Sequence, residues 1–157
     1  MEWKFTLGVG GAVVRQGQLL LVHHAYGAKM WQIPGGYVKP EECAHDGVVR
    51  EIYEETHIRA AVDGLLGVRH RVKEGDNSTY LIFGLTPIES HDPTPDGREV
   101  DAAGYFTLED IEAFSSDEIP ALNRWVARCV LSGTPNMLLD QGDPDDLNRP
   151  YNLYIRP

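Results

Sequence analysis

The sequence predicts a single α/β domain in which strands interspersed with a few helices form a layered sandwich. Two observations support this prediction: short apolar runs of strand length recur along the chain, and two segments have the spacing of amphipathic helices. The chain has 157 residues, 42% of them hydrophobic, which suffices for one domain with a substantial core. We expect the domain to span residues 1–139 and a C-terminal tail to span residues 140–157.

The N-terminal part of the chain is predicted to form strands followed by a helix. Apolar alternation predicts the first strand, and short apolar runs predict the next three. These strands are expected at residues 5–9, 12–14, 19–22 and 30–34. Gly35 and Gly36 are expected to form a turn with positive φ. A helix follows over residues 40–56, with Pro40 in its first turn and an apolar stripe beside its glutamates.

The rest of the chain is predicted to add a hairpin, a further strand and two helix starts. The hairpin is expected over residues 65–72 and 79–85, and a Pro- and Gly-containing loop leads into a strand over residues 99–106. Thr107 begins a segment that resembles a capping box. The apolar residues of the last helix, which ends near Gly133, are Leu122, Trp125, Val126, Cys129 and Val130.

The tail has prolines at positions 144, 150 and 157, which exclude a continuous helix. Two alternatives are open for it: the tail packs across the sheet or a partner, or it is loose. The residues available for packing are Tyr151, Leu153, Tyr154 and Ile155.

The composition excludes several classes of protein. No apolar run approaches the roughly 18 residues of a membrane span, and the first residues lack the apolar region of a signal peptide, so we expect a cytoplasmic protein without a membrane partner. A net charge of −10 argues against duplex nucleic acid as a partner, because that binding depends on basic residues. Cys43 and Cys129 fall in predicted helices and are too few for a disulfide framework; Cys43 is expected to be a small buried residue.

Three glutamates of the predicted helix are candidates for a metal site. Glu51, Glu54 and Glu55 are related by i, i+3 and i+4, so their side chains project within roughly a third of the helix circumference. Like charges at i, i+4 destabilise an isolated helix, and a divalent cation would offset that repulsion. Magnesium is typically held by carboxylates, waters and the phosphates of a substrate. A solvated acidic face is the alternative, and the adjacent apolar stripe argues against it.

The segment that contains these glutamates resembles the signature of the Nudix hydrolases. That signature is Gly, five residues, Glu, seven residues, Arg-Glu, an apolar residue, any residue, Glu-Glu, any residue, Gly and an apolar residue. Its fixed positions are matched by Gly36, Glu42, Arg50, Glu51, Glu54 and Glu55, and its apolar positions by Ile52 and Ile58. Six chance matches have a probability on the order of 10⁻⁷ per window. His57 stands where the signature has glycine, and we expect it to close the helix with positive φ.

The resemblance implies a Nudix-type α/β/α sandwich with a central mixed β-sheet. It also implies Mg²⁺, or Mn²⁺, as the cofactor. The metal ligands implied are the carbonyl of Gly35 and the carboxylates of Glu42, Glu51, Glu54 and Glu55, with Glu42 either a ligand or an acceptor behind the ligands. Arg50 is implied to orient the carboxylates, and an ordinary i, i+4 pair with Glu54 is the alternative.

Glu99 is a further candidate outside the signature. It follows a Pro-Asp-Gly loop and resembles a downstream glutamate that some Nudix hydrolases use, either as a metal ligand or as the base that takes a proton from the attacking water. The alternative is an exposed glutamate at a strand end.

Candidates for substrate binding come from a loop and from a basic cluster. Arg69, His70 and Arg71 form the cluster, and strand alternation allows at most two of them to share a site. The neighbouring His23 and His24 are expected to be surface or core residues. The candidate substrate-binding residues are therefore Tyr26, Lys29, Arg69 and Arg71.

The function implied is Mg-dependent cleavage of a diphosphate bond in a nucleoside diphosphate linked to another moiety, such as ADP-ribose, a dinucleotide or a nucleotide sugar. One alternative is a nucleoside triphosphate pyrophosphatase, including clean-up of oxidised dNTPs. Another is a catalytically silent nucleotide-binding regulator on the same fold, which the intact glutamate cluster argues against. We expect a nucleotide-derived small molecule as substrate and a monomer or homodimer.

Overall fold

A mixed sheet forms the centre of the structure, a computed structural model that describes residues 4–146 and 151–156. Seven strands of the described residues belong to it. They are β1 (Lys4–Arg15), β2 (Gln18–His24), β3 (Trp31–Gln32), β4 (Gly35–Tyr37), β5 (Ala60–Lys73), β6 (Asp76–Pro87) and β7 (Val100–Phe106). β1 lies in the middle, because it pairs in parallel with β6 and antiparallel with β2 and β4.

Helices cover both faces of this sheet. The helix α1 (Ala44–Thr56) packs on one face, and α2 (Leu108–Ala113) and α3 (Ala121–Leu131) pack on the other. Successive β1 side chains divide between the faces, so Val9 and Val13 join the core under α1 and Ala12 joins the core under α3. The predicted α/β/α sandwich with a central mixed sheet is confirmed. Within the described ranges, no helix has the length and apolar character needed to cross a membrane.

Two tight turns set the register of the hairpins. Gln16 and Gly17 have φ values of 50° and 75°, and Glu74 and Gly75 have φ values of 49° and 83°. Two consecutive residues with positive φ are typical of the turn whose twist matches the flanking strands. The hairpin predicted at residues 65–72 and 79–85 is confirmed as β5 and β6, both longer than predicted.

The segment before α1 differs from two sequence predictions. Gly35 and Gly36 do not form a positive-φ turn; they lie in β4 and pair with Gly10 and Val9 of β1. The strands predicted separately at residues 5–9 and 12–14 are likewise one strand, because residues between them continue the pairing with β6. Glycine is needed in β4 for close approach, since a Cβ on Gly35 would overlap the Val9 carbonyl oxygen.

The start of α1 also differs from the prediction. The helix begins at Ala44 rather than at residue 40, so Pro40 precedes it and Cys43 is its N-cap residue with φ −70° and ψ 150°. A turn over Lys39 to Glu42 explains the later start. The Glu42 amide donates to the Lys39 carbonyl (3.2 Å), and the Lys39 amide donates to Glu42 Oε1 (2.8 Å). Cys43 was expected to be buried within the helix but is only half-buried, and burial raises the pKa of its thiol.

The end of α1 is closed by His57, as predicted. His57 has φ 58° and ψ 14°, and its amide donates to the Tyr53 carbonyl (2.9 Å). Its ring Nδ1 lies 2.9 Å from the Thr94 carbonyl oxygen, a contact that glycine would not make. The His57 side chain, which stands where the signature has glycine, therefore connects the end of α1 to the loop before β7.

The C-terminal helices follow the predicted boundaries closely. The Thr107 hydroxyl accepts from the Asp110 amide (3.2 Å), and the Asp110 carboxylate accepts from the Thr107 amide (2.9 Å), so the capping box is confirmed. α3 ends at Leu131, and its Cys129 is exposed.

The described part of the tail packs on the domain. Leu138 exchanges two backbone hydrogen bonds with Leu65 of β5 (2.8 and 3.0 Å), and β8 (Leu139–Asp140) pairs with β9 (Tyr154–Ile155). The Tyr154 ring lies 5.5 Å from that of Phe83, and its hydroxyl lies 2.7 Å from His45 Nδ1. The predicted boundary at residue 139 falls inside β8. Pro150 and Pro157 lie outside the described residues.

Candidate active site

The carboxylates of α1 lie against the backbone of β4. Gly36 brings helix and strand together, because a Cβ at this position would lie 2.5 Å from the Glu51 carboxylate. On the next helical turn, Glu55 Oε2 accepts a hydrogen bond from the Gly35 amide (3.1 Å). Gly36 is therefore required for close contact between the strand and the Glu51 carboxylate, a role that the sequence prediction of a turn missed.

Arg50 connects three carboxylates of the signature. Its guanidinium forms two hydrogen bonds to Glu42 (2.6 and 3.0 Å) and one each to Glu51 (2.8 Å) and Glu54 (3.0 Å). It also donates to the Tyr37 carbonyl of β4 (3.1 Å). The i, i+4 pair with Glu54 is thus one part of a larger network. An arginine in this position fixes the direction of the carboxylates relative to the strand.

The carboxylates differ strongly in their electrostatic environment. The Arg50 guanidinium lowers the pKa of Glu42 to about 2, so Glu42 is ionised and paired with Arg50 at neutral pH. Burial raises the pKa of Glu51 although Arg50 opposes the shift. The Glu54 side chain is 52% exposed and is also 3.9 Å from the Lys39 ammonium group.

Glu55 is the least compensated of these groups. It is 2% exposed, and its Oε1 has no hydrogen-bond partner among the described residues. Burial raises the pKa of Glu55 to about 8, and the negative charges of Glu51, Glu99 and Asp96 add to the shift. A buried carboxyl with an unpaired oxygen is costly in a native protein unless a further group, such as a cation, satisfies it.

The donors fit a divalent cation, although they are not gathered around one point. In the described ranges, no three His, Cys, Asp or Glu side chains are close enough together to hold a metal ion as they stand. Arg50 draws Glu42 and Glu54 to itself, whereas the unpaired Glu55 oxygen is available. Oxygen donors of this kind suit Mg²⁺ or Mn²⁺, so the fit rests on Glu55 and on movement of the more exposed Glu54.

Glu99 acts electrostatically on the carboxylate cluster and on Tyr26. Burial is the main cause of the raised pKa of Tyr26, Glu51 and Glu55, and the negative charge of Glu99 adds to each shift. The Glu99 backbone is fixed: its carbonyl accepts from the Ala25 amide (2.9 Å), and its amide donates to the Asp96 carboxylate (3.1 Å).

A polar cleft of about 220 Å³ opens beside the carboxylates. Its lining residues are Gly8, His24, Gln32, Ile33, Gly35, Gly36, Tyr37, Arg69, Arg71, Asp76, Ser78 and Tyr80. Arg69 and Arg71 both face it, whereas His70 lies outside it and contacts Thr79 (3.1 Å), as alternation along β5 requires. Lys29 is exposed and does not line the cleft.

The cleft contains residues that sequence reasoning missed. Tyr80 and Gln32 were not candidates, because their positions depend on strand register rather than on a local pattern. His24 was expected to be an ordinary surface or core residue, but it lines the cleft, and burial lowers its pKa. The one available signal was the alternation of Ser78 and Tyr80 opposite Arg71 and Arg69 in the predicted hairpin.

Comparison with known proteins identifies the class of the fold. A MutT NUDIX hydrolase from Burkholderia pseudomallei superposes with a TM-score of 0.68 at 26% identity, covering 80% of this chain and 97% of that one. A NUDIX hydrolase from Nitrosomonas europaea superposes with a TM-score of 0.73 at 20% identity, covering 87% of this chain and 78% of that one, which supports the fold alone.

Sequence comparison establishes the family. Residues 4–129 match the NUDIX domain, so the chain belongs to the Nudix hydrolase family. A "MutT-like protein" of Streptomyces ambofaciens is 41% identical over 83 residues, 52% of either chain. A "Putative 8-oxo-dGTP diphosphatase" of Bacillus subtilis (strain 168) is 38% identical over 80 residues, 51% of this chain and 53% of that one. The chain thus spans about half the length of these two relatives.

A third relative matches over a longer segment. The "Diphosphoinositol polyphosphate phosphohydrolase 3-alpha" of Mus musculus is 29% identical over 122 residues, which cover 77% of this chain and 74% of that protein. The names of the Bacillus and mouse relatives therefore refer to different phosphorylated compounds.

The environment of Glu55 predicts a pH dependence of stability in metal-free protein. The folded state holds the Glu55 proton up to a pKa of about 8, whereas the unfolded chain releases it near 4.5. Between these values the folded state binds more protons, so the free energy of unfolding should fall as pH rises, by at most about 1.4 kcal/mol per pH unit. Urea denaturation of wild type and Glu55→Gln at pH 5, 6, 7 and 8 tests this. The free energy of unfolding should fall less with pH in Glu55→Gln than in the wild type. Parallel pH profiles of the two proteins would contradict this prediction.

Proposed function

We propose that this chain hydrolyses a diphosphate bond in a nucleotide-derived small molecule, with a divalent metal ion as cofactor. The observation that carries the proposal is the buried Glu55 carboxyl, which lies on the Gly35 amide with one oxygen unpaired, beside Glu51. Nudix hydrolases generally use a divalent metal. For this chain we propose Mg²⁺, with Mn²⁺ as the substitute.

Residues of the signature would hold the cation. Glu51, Glu54 and Glu55 are the proposed ligands, with the Gly35 carbonyl as a further donor. Glu42 is proposed either as a ligand or as the acceptor that anchors Arg50, and its two bonds to Arg50 favour the second role. When bound, the metal would supply neutralisation of phosphate charge and activation of water.

The chain's own residues have distinct tasks in the proposed reaction. One water is consumed: its oxygen forms a new bond to phosphorus, the bridging phosphorus–oxygen bond breaks, and a water proton passes to a base. Glu99 is the proposed base, with Glu51 as the alternative, because the negative charges of both act on Glu55 and raise its pKa further after burial. Arg50 would orient Glu51, to which it donates a hydrogen bond (2.8 Å), and would release Glu54 to the metal.

The proposed substrate is a nucleoside diphosphate linked to another moiety, such as ADP-ribose, a dinucleotide or a nucleotide sugar. A nucleoside triphosphate pyrophosphatase is the second candidate, and the Bacillus relative, whose name refers to 8-oxo-dGTP, favours it. A catalytically silent regulator is disfavoured by the complete set of carboxylates. A monomer or homodimer, a cytoplasmic location and the absence of a nucleic-acid partner stay predictions.

The proposed activity predicts a large effect of Glu54→Gln. Losing a group that stabilises charge typically lowers the rate by about 10² to 10³. Turnover should be measured on a panel of ADP-ribose, dinucleotides, nucleotide sugars and nucleoside triphosphates with Mg²⁺, and the products identified by mass.

Glu109→Gln, on α2 across the sheet, is the matched control and should keep full activity. Thermal denaturation of both variants establishes that they are folded. Full turnover of the wild type in excess chelator would refute the metal dependence.

The role of Glu99 as base predicts a separate kinetic effect. A general base typically contributes about 10² to 10⁴ in rate, so Glu99→Gln should lower the maximal rate by that factor at saturating Mg²⁺. Glu109→Gln, at an exposed position on α2, again serves as the control. A fall of less than about tenfold would remove Glu99 from this role and leave Glu51 as the base.

A further inference from the structure

The cleft beside the carboxylates contains an arginine that has no anionic partner. Arg15, Arg50 and Arg71 each have a carboxylate oxygen within 4 Å. Arg69 has none among the described residues; its nearest polar contact is the Ser78 hydroxyl at 3.5 Å. Because the protein has a net charge of −10, a cation left without a counter-charge in a cleft indicates a position for an anionic ligand.

Tyr80 fixes the position of this arginine. The Arg69 guanidinium carbon lies 5.4 Å from the centre of the Tyr80 ring, within the range of a cation–π contact. The ring in turn lies against glycines of β1: a Cβ on Gly8 would be 2.9 Å from Tyr80 Cδ2, and a Cβ on Gly10 would overlap the Tyr80 hydroxyl. The glycines therefore allow the Tyr80 ring to lie close to β1. The ring in this position contacts the Arg69 guanidinium.

Strand register places Arg69 and the carboxylates at opposite ends of one row of paired residues. Arg69 pairs with Tyr80, and Tyr80 pairs with Gly8, so these residues lie in one row across β5, β6 and β1. Gly8 also pairs with Tyr37 of β4, which extends the row to the strand that contacts Glu51. Arg69 therefore borders the cleft at the β5 end of this row, and Glu51 and Glu55 contact the strand at the β4 end.

We propose that Arg69, supported by Tyr80, binds a phosphate group of the substrate that is not part of the diphosphate being cleaved. A planar guanidinium presents paired donors that match phosphate oxygens. This inference rests on the proposed function and favours its second candidate, a nucleoside triphosphate, over ADP-ribose and nucleotide sugars, which carry two phosphates. Arg71 lines the same cleft but lies 3.7 Å from Asp76, so it contributes less free charge.

The test compares binding of inorganic tripolyphosphate and pyrophosphate to the full chain in Mg²⁺, by calorimetry. We expect the wild type to bind tripolyphosphate more tightly than pyrophosphate, and Arg69→Gln to lower tripolyphosphate affinity by about tenfold or more, because a charged hydrogen bond is lost. Pyrophosphate affinity should change less than about threefold, since its two phosphates occupy the metal side of the cleft. Arg69→Lys should retain part of the preference.

Two controls separate this site from general charge and from folding. Arg59→Gln removes one positive charge outside the cleft and should leave both affinities unchanged. Tyr80→Phe should keep the preference and Tyr80→Leu should reduce it, because the ring and not the hydroxyl supports Arg69.

Equal loss of both affinities in Arg69→Gln, or no preference in the wild type, would overturn the inference. The assay needs no turnover, so its result is independent of whether hydrolysis is detected. An Arg69-dependent preference in a protein without hydrolytic activity would refute the proposed function while supporting phosphate binding at Arg69 itself.

Discussion

The close packing of α1 on the glycine strand β4 is the constraint on which the site depends. Gly36 leaves room for the Glu51 carboxylate, and the Gly35 amide donates to Glu55. A side chain at Gly36 would push the helix away from the strand, and one at Gly35 would overlap the backbone of β1. The two cores on the sheet faces hold helix and strand at this separation, so the packing of the fold and the placement of the carboxylates have the same cause.

The carboxylates of the cluster are compensated to different degrees by positive charge. The less compensated ones are therefore available to a bound cation. Arg50 neutralises Glu42 almost completely and shares its remaining donors between Glu51 and Glu54. Glu55 receives one amide hydrogen bond and no cation, which is why burial holds its pKa near 8. The arrangement resembles a site in which one positive charge is supplied by the protein and the other is left to a bound cation.

Local sequence pattern was enough to predict the helical arc of glutamates, the left-handed His57 and the capping box at Thr107. Apart from the start of α1, which a local turn over Lys39 to Glu42 delays, the predictions that were wrong concern non-local contacts. Gly35 and Gly36 are required by β1 and by α1, neither of which adjoins them in sequence. The row from Arg69 to Gly8 likewise depends on strand register, and the isolation of Glu55 depends on burial, which spacing alone does not reveal.

The central claim is that Glu55 is a carboxyl that a divalent cation completes, and Mn²⁺ binding tests it most directly. Electron paramagnetic resonance titration of metal-free protein at pH 8 should give a dissociation constant for wild type that rises by about tenfold or more in Glu55→Gln, because a charged ligand is lost. Glu109→Gln should bind as wild type does. Equal affinity of wild type and Glu55→Gln for Mn²⁺, with both proteins folded, would contradict the account.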